Sequence, residues 1–227
     1  IQAAQRRWEA SQAIIPQVQS LPDPQAHFGY QRMPMMEPLE GPVYGFSQRI
    51  PFPGKLGLKG EVASRQADRI EQEYLATRLR VISRLKQQYW DLHFIHKGID
   101  IVEKNKLLLM QFEKTANARY SVGKAAQQDV FRAQVELSRV LDRLAVLEQQ
   151  KESLHATINR ILNRPPIGPL GTPEEIDLSP IPFELPELAR RAQDFSPILL
   201  ASAKSVAQQE EAVSLAKKEY FPDFNLS

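Results

Sequence analysis

The side chains best suited to bind a metal ion lie on one predicted helix. His93 and His96 are three residues apart, which places both imidazoles on one side of a helix, and Asp100 follows one turn later. Two imidazoles with a carboxylate could hold zinc, but histidines on a helix surface are commoner than such partial sites. His27 and His155 are isolated in the sequence. We therefore predict no metal site and no bound cofactor.

A second group of soft ligands lies in the segment RMPMME. The thioethers of Met33, Met35 and Met36 suit Cu(I), although methionine also serves as adaptable apolar filler. The chain has no cysteine, which excludes a thiolate metal site, a disulfide framework and a cysteine nucleophile. No glycine-rich phosphate-binding motif occurs. We predict that the protein is not an enzyme.

Charge and hydropathy exclude further classes. The 227 residues carry a net charge of +2, and basic residues are mixed with acidic ones along the predicted helices, so we predict no nucleic-acid partner. No window approaches 18 consecutive apolar residues, which argues against a transmembrane helix. The first residues, IQAAQRRWEA, resemble the inside of a helix, so we expect a fragment of a longer protein.

The prolines divide the chain into three parts. Eight of the 17 prolines lie in residues 16–53, eight lie in 165–197, and none lies between Pro53 and Pro165. Proline inside a helix costs roughly 3 kcal/mol or more. The distribution therefore predicts one long helical block between two irregular segments.

Apolar residues inside this block alternate by three and four, as in coiled coils. One series ends before Gly123 and another begins after it. The two series are Leu85, Gln88, Leu92, Ile95, Ile99, Val102, Lys106, Leu109 and Val130, Ala133, Leu137, Val140, Leu144, Leu147, Lys151, Leu154, Ile158, Ile161.

Gly123 is the only glycine between Gly98 and Gly168. A helix that ends near Tyr120 could stop at Gly123 in a left-handed cap, and Asp129 would then fall in the first turn of the next helix. The alternative is one unbroken helix with a tolerated glycine, which costs about 1 kcal/mol. The shift in heptad phase at Gly123 favours a helical hairpin.

Two segments before the block alternate like strands. QAHFGYQRM places Ala26, Phe28 and Tyr30 on one face, and VYGFSQRI places Tyr44, Phe46, Gln48 and Ile50 on one face. Aromatic residues alternating with small or polar ones are typical of membrane β-barrel strands, although an ordinary half-buried hairpin shows the same pattern.

The chain also contains an internal echo. Ala10–Pro16 and Ala216–Pro222 both predict a helix that ends in two bulky residues and a proline, followed by alternation. This pattern suggests a structural repeat whose second copy begins near the end of the chain.

Four segments carry a resemblance to the TolC-like family of outer-membrane efflux proteins: YSVGKAAQQDVFRAQVEL at 120–137, FSQRIPFPGKLGLKGEVA at 46–63, LNRPP at 162–166 and KKEYFPDF at 217–224. The resemblance covers nearly the whole chain, as a first structural repeat and the start of a second. The PFPGK segment resembles members that serve heavy-metal or multidrug pumps.

The resemblance implies a mainly α fold with a β-hairpin. A long antiparallel coiled-coil helical hairpin would form part of a periplasmic tunnel, and two strands would join a trimeric outer-membrane β-barrel. Residues 1–15 would end a tunnel helix, 16–52 would hold two barrel strands and an extracellular loop, and 53–164 would be the hairpin with its tip near 120–125. Residues 165–185 would be an equatorial linker, 186–221 helices that open the second repeat, and 222–227 the start of a third strand.

By match of position, the tip residues would contact a periplasmic adaptor, and Asp129 would be a candidate gating group. The tip residues are Tyr120, Ser121, Val122, Gly123 and Lys124. Asp129 would then pair with a basic or hydroxyl side chain of a neighbouring hairpin. The alternative reading of Asp129 is an acid at a helix N-terminus, worth about 0.3–1 kcal/mol.

The resemblance implies a passive exit duct for a tripartite efflux pump or a type I secretion system. Its partners would be two further copies in a homotrimer, the adaptor, an inner-membrane pump of RND or ABC type, and outer-membrane lipid. The alternatives are a periplasmic adaptor, which should carry a lipoyl-like β-domain, and a soluble coiled-coil scaffold.

Overall fold

A computed structural model describes residues 1–32, 40–174, 180 and 182–227. Met33, Met35 and Met36 lie outside the described residues. The elements are α1 (Gln2–Gln19), β1 (Gln25–Arg32), β2 (Glu40–Ile50), α2 (Lys55–Ser121), α3 (Gln127–Ile161), α4 (Leu185–Phe195), α5 (Pro197–Lys218) and β3 (Phe224–Leu226). Two compact units are present: Ile1–Leu79 with Pro182–Ser227, and Arg80–Ile181. Among the described helices, none is long and apolar enough to cross a membrane.

The first unit contains an antiparallel sheet in the order β1-β2-β3. Phe28 lies opposite Tyr44, and Ile50 lies opposite Phe224. Because paired residues share a face, the register places Phe28, Tyr44 and their aromatic neighbours on one side of the sheet. This agrees with the alternation in the sequence.

The helices of the first unit pack on the beginning of α2. Trp8 of α1 stacks on Tyr74 with ring centroids 5.9 Å apart, and the Gln19 side chain lies over Gly60. The order of these contacts runs in opposite directions along the two helices, so α1 is antiparallel to α2. The α2 residues that become buried here are mostly small, which lets the helix axes approach closely: Gly60, Ala63, Ala67 and Ile70.

In the second unit, α2 and α3 form the helical hairpin predicted from the sequence. The Gln134 side-chain amide donates to the Glu113 carboxylate at 3.2 Å, and Leu147 lies against Gly98. Within each pair the two residues lie almost equally far from Gly123 along the chain, which is the pattern of two antiparallel helices folded at that residue. Leu92, Leu144 and Leu147 are buried, as the heptad series predicts.

The end of α3 is fixed by an asparagine in a left-handed conformation. Asn163 has φ 56°, and the Arg164 amide donates to the Asn159 carbonyl at 2.8 Å. The fully buried Asn159 amide then donates to the carbonyls of Pro166 at 3.1 Å and Gly168 at 2.8 Å. Asn159 therefore holds the linker against the helix that precedes it.

The first helix differs from the sequence prediction. Pro16 lies inside α1, which continues to Gln19, and β1 begins only at Gln25. The carbonyl that loses its partner belongs to Gln12, an exposed residue, so water can satisfy it. The match of Pro16 to Pro222 was therefore wrong. Two prolines, Pro22 and Pro24, lie between α1 and β1, and Pro22 is the one followed by an aspartate, as Pro222 is.

Candidate functional site

The hairpin tip is a helix end closed by glycine. The Gly123 amide donates to the Tyr120 carbonyl at 2.9 Å, and the Lys124 amide donates to the Arg119 carbonyl at 2.8 Å. Gly123 has φ 71°, so these two bonds form a Schellman motif with glycine at the left-handed position. The space around Gly123 is open. Backbone conformation, not crowding, therefore explains the glycine.

The five tip residues are all exposed on this turn. Val122 is 64% exposed and Tyr120 45%, and the Ser121 hydroxyl donates to the Ala118 carbonyl at 2.9 Å. The tip thus presents an aromatic ring, a branched aliphatic side chain and the Lys124 ammonium on a turn closed by two backbone hydrogen bonds. Such a mixture suits contact with another protein.

Asp129 lies in the first turn of α3, as predicted. Its carboxylate is exposed and makes no hydrogen bond or ion pair with any residue in the described part of the chain, although its backbone amide donates to the Ala126 carbonyl at 3.0 Å. The helix dipole favours an acid at this position. A gating partner for Asp129 would have to come from outside the described chain.

The sheet carries an exposed aromatic face and a second face with a different character. Phe28 and Tyr44 meet edge to face with centroids 5.0 Å apart, and they are 75% and 73% exposed. On the opposite side, the His27 imidazole lies directly over Gly45, in space that a β-carbon would occupy. One face is therefore aromatic, whereas the other carries the His27 imidazole over a residue without a side chain.

A cluster of five residues, which we call the junction cluster, ties the end of β2 to the start of β3. Both oxygens of the Asp223 carboxylate are used. Oδ1 accepts from the Lys55 ammonium at 2.7 Å and the Phe52 amide at 3.0 Å, and Oδ2 accepts from the Arg49 guanidinium at 2.8 and 3.0 Å. Lys55 also donates to the Phe221 carbonyl at 2.7 Å, and Phe52 stacks on Phe221 at 4.7 Å.

The turn formed by the segment PFPGK positions two donors of the junction cluster. Phe52 to Lys55 form a type II turn, in which the Lys55 amide donates to the Phe52 carbonyl at 3.0 Å and Gly54 has φ 89°. The turn brings the Phe52 amide and the Lys55 side chain to the same carboxylate. Hydrogen bonds from Lys55, the Phe52 amide and Arg49 hold the pKa of Asp223 well below its usual range.

Sequence reasoning missed the junction cluster. Both halves lay in segments that were singled out, PFPGK and KKEYFPDF, but more than 160 residues separate them, as the Lys55–Phe221 bond spans 166 positions. The available signal was an acid directly after a proline at the predicted start of a strand.

The histidine prediction needs a correction. His155 is not isolated, because its ring lies across the helical hairpin from His96, with centroids 6.3 Å apart. The Nε2 atoms of both rings are buried and have no hydrogen-bond partner within the described chain. Burial, together with the charges of Lys151 and His155, lowers the pKa of His96, and the opposing effect of Asp100 is smaller.

No group of three or more potential ligands from histidine, cysteine, aspartate and glutamate gathers among the described residues. His93 faces Trp90, with ring centroids 6.0 Å apart. Asp100 acts on His96 through its charge. The described geometry therefore offers a pair of imidazoles and not a closed metal site.

Each helix of the hairpin has a second apolar stripe besides the one that faces its partner. On α2, Phe94, Ile101 and Leu108 are spaced one heptad apart and are 54–73% exposed. Phe94 lies roughly 200° around the helix from the buried Leu92, and about 40° from Gly98, against which Leu147 packs. On α3, Phe131 and Val135 are also exposed, at 54% and 50%. We call these two sets the outer stripes.

Solved structures that share this fold include outer-membrane channels. The chain superposes on the outer-membrane protein VceC of Vibrio cholerae with TM-score 0.78 and 16% identity, covering 98% of this chain and 56% of that one. On the Campylobacter jejuni CmeC channel the chain superposes with TM-score 0.78 and 17% identity, covering 99% of this chain and 51% of that one. On the open state of the Neisseria gonorrhoeae MtrE channel it superposes with TM-score 0.77 and 15% identity, covering 99% of this chain and 52% of that one.

The chain therefore has the TolC-like outer-membrane channel fold, as the sequence resemblance predicted. It spans about half the length of the solved channels that it matches. No protein-family model matches the sequence, and no curated protein matches it.

Proposed function

We propose that this chain forms the first part of a protomer of an outer-membrane exit duct, which carries solutes passively through a trimeric barrel and a periplasmic helical tunnel. The protein performs no covalent chemistry. Energy for transport comes from an inner-membrane pump, which a periplasmic adaptor connects to the duct.

The outer stripes are the observation that carries this proposal. An isolated pair of helices needs one apolar seam on each helix. Here α2 and α3 each have one stripe buried in the hairpin and another left bare, with Phe94 73% exposed. Helices with two seams on opposite sides suit a closed ring of helices, in which every helix has a neighbour on each side. A homotrimer supplies those neighbours.

The exposed aromatic face of the sheet supports a location in the outer membrane. Phe28, Tyr30, Tyr44 and Phe46 are all more than 60% exposed. Large aromatic rings on one side, with small and polar residues opposite, suit contact with lipid and a water-filled lumen respectively. Three strands alone have open edges, so a closed barrel needs strands from the rest of the protein and from other copies.

The tip supports the assignment of partners. In this proposal, Tyr120, Ser121, Val122, Gly123 and Lys124 contact the adaptor, and Asp129 helps to hold the entrance closed. The described residues after the hairpin form α4, α5 and β3. This order gives no support to a lipoyl-like β-domain, which the adaptor alternative requires.

The proposal is tested at Gly123 in the complete protein. Gly123→Val should impair export, because a β-branched residue at φ 71° distorts the tip, whereas trimers should still assemble. The measurement is drug or metal susceptibility of cells that depend on this protein, with trimers quantified in detergent.

Gly123→Asn is the matched control, since asparagine adopts the left-handed conformation at Asn163. It should export nearly as well as the wild type. Normal resistance with Gly123→Val would contradict the role of the tip, and a complete protein without trimers would contradict the duct.

A further inference from the structure

Two imidazoles meet between the helices of the hairpin, and each has a buried nitrogen without a partner. His96 of α2 and His155 of α3 lie next to each other, with ring centroids 6.3 Å apart and planes inclined at 31°. Both Nε2 atoms are buried, and neither has a hydrogen-bond partner among the residues that the structure describes. A buried polar atom without a partner costs free energy. Two such atoms in one place therefore point to a ligand that satisfies both.

The charges around the two rings leave nitrogen lone pairs available. Glu152 Oε1 lies 4.0 Å from His155 Nδ1, and in the neutral ring a carboxylate on that side favours the proton on Nδ1, so that Nε2 keeps its lone pair. Burial and the charge of Lys151 lower the pKa of His96, so this ring is uncharged at neutral pH. A neutral imidazole is a common metal ligand.

The distance between the rings fits a single ion held between them. A metal–imidazole bond is about 2 Å long and the ring centroid lies about 1.2 Å behind the bonded nitrogen, so two imidazoles on opposite sides of one ion have centroids about 6 Å apart. The observed separation is 6.3 Å. Both rings belong to the same compact unit, so the pair forms without any contribution from the other unit.

The number of ligands and the neighbouring charge select the kind of ion. Structural zinc takes four ligands, but no group of three or more histidine, cysteine, aspartate or glutamate ligands gathers in the described part of the chain. Cu(I) and Ag(I) are stable with two ligands in a line, and imidazole suits copper. The positive charge of Lys151 acts on His96, and it repels a divalent ion more than a monovalent one. Two ligands beside this cation therefore favour a monovalent ion.

We propose that His96 and His155 form a two-coordinate site for a monovalent d10 metal ion, Cu(I) or Ag(I), between the two helices of the hairpin. Each imidazole gives its Nε2 lone pair to the ion, so both buried nitrogens gain a partner. Because the two ligands come from different helices, the bound ion joins α2 to α3 and stabilises the hairpin. The site is additional to the proposed function and does not rest on it.

The test counts the Cu(I) ions bound by the complete protein, purified in detergent without a histidine tag and kept anaerobic with ascorbate. Cu(I) is titrated in competition with a chromophoric Cu(I) chelator, whose absorbance gives the amount transferred to the protein. His155→Leu should bind one equivalent per protomer fewer than the wild type. His155→Met should retain that equivalent, because a thioether is also a Cu(I) ligand. Since leucine and methionine have similar volumes, this pair of variants separates loss of a ligand from loss of packing.

The other ligand and a neighbouring histidine complete the design. His96→Leu should lose the same equivalent, and the double variant with leucine at both positions should lose no more than either single variant. His93→Leu is the matched control, a histidine on the same helix whose ring faces Trp90, and it should bind Cu(I) like the wild type.

The outcomes are distinct. Loss of one equivalent in both single leucine variants, with retention in His155→Met, supports the site. Equal Cu(I) binding by the wild type and both leucine variants overturns it, and so does an equal loss in His155→Met and His155→Leu. Binding of Zn(II) by the same pair in place of Cu(I) overturns the assignment to a monovalent ion. None of these outcomes affects the proposed duct, which depends on trimer assembly and on export by Gly123→Val.

Discussion

At the scale of single residues, two helix ends show how backbone conformation selects the residue type. Gly123 and Asn163 both occupy the left-handed region, at φ 71° and 56°, and each ends a long helix. The first was predictable, because a lone glycine interrupted two heptad series. Asn163 was not, because asparagine is common in many other settings.

The partly buried His96 imidazole makes the helical hairpin sensitive to pH. Because burial lowers the pKa of His96 below 6.5, the folded state binds fewer protons than the unfolded state. The stability contributed by neutral His96 is therefore present above pH 6.5 and is lost as the pH falls from 6.5 towards the folded pKa. His155, Lys151 and His93 oppose its protonation, and Asp100 favours it.

We expect the free energy of unfolding of this chain to rise with pH across the range just below 6.5. His96→Gln should flatten that rise, because glutamine does not titrate. Urea denaturation followed by circular dichroism measures it, with His27→Gln, a histidine of the other unit, as the control. An equal slope in His96→Gln and wild type would show that His96 does not cause the dependence.

Among the structural elements, long helices were the most predictable and their connections the least. Proline-free sequence and heptad spacing predicted α2 and α3, and alternation predicted the faces of β1 and β2. Pro16 misled the prediction because a proline in the last turns of a helix leaves only one exposed carbonyl without a partner. The junction cluster joins two segments that are far apart in the sequence, and no local sequence pattern predicts such a contact.

The junction cluster makes a prediction about β3. Lys55 is 7% exposed, so Lys55→Met keeps the volume but leaves the Phe221 carbonyl without its donor and the Asp223 Oδ1 with the Phe52 amide alone. We expect faster hydrogen exchange of the β3 backbone amides, measured by mass spectrometry. Lys59→Met, an exposed lysine one turn along α2, should leave exchange unchanged. Equal protection of the β3 amides in both variants would mean that Arg49 and the Phe52 amide hold Asp223 in place without Lys55.

At the scale of the whole molecule, the surface composition of the helical hairpin indicates a surface suited to contact with another protein. Phe94, Ile101 and Leu108 form an apolar stripe that a monomer would leave in water. The residues of both apolar stripes are visible in the sequence. The outer stripe could be distinguished from the stripe buried in the hairpin only once the orientation of α2 and α3 was known.

The outer stripe of α2 can be tested in the complete protein. Ile101→Lys should weaken trimer assembly, because it places a charge in the proposed contact between hairpins, while leaving the hairpin itself folded. The measurement is the trimer fraction by size-exclusion chromatography with light scattering. Glu103→Lys is the control, an exposed site that also receives a lysine. Unchanged trimers with Ile101→Lys would show that α2 uses another surface.

The glycine beneath His27 has a consequence for the proposed duct. The His27 imidazole occupies the space over residue 45 only because that residue has no β-carbon. If the aromatic face of the sheet contacts lipid, as we propose, this ring lies on the opposite side, which faces the lumen. A methyl group at position 45 would then displace the ring in every copy, so the missing methyl group would help to set the width of the proposed lumen.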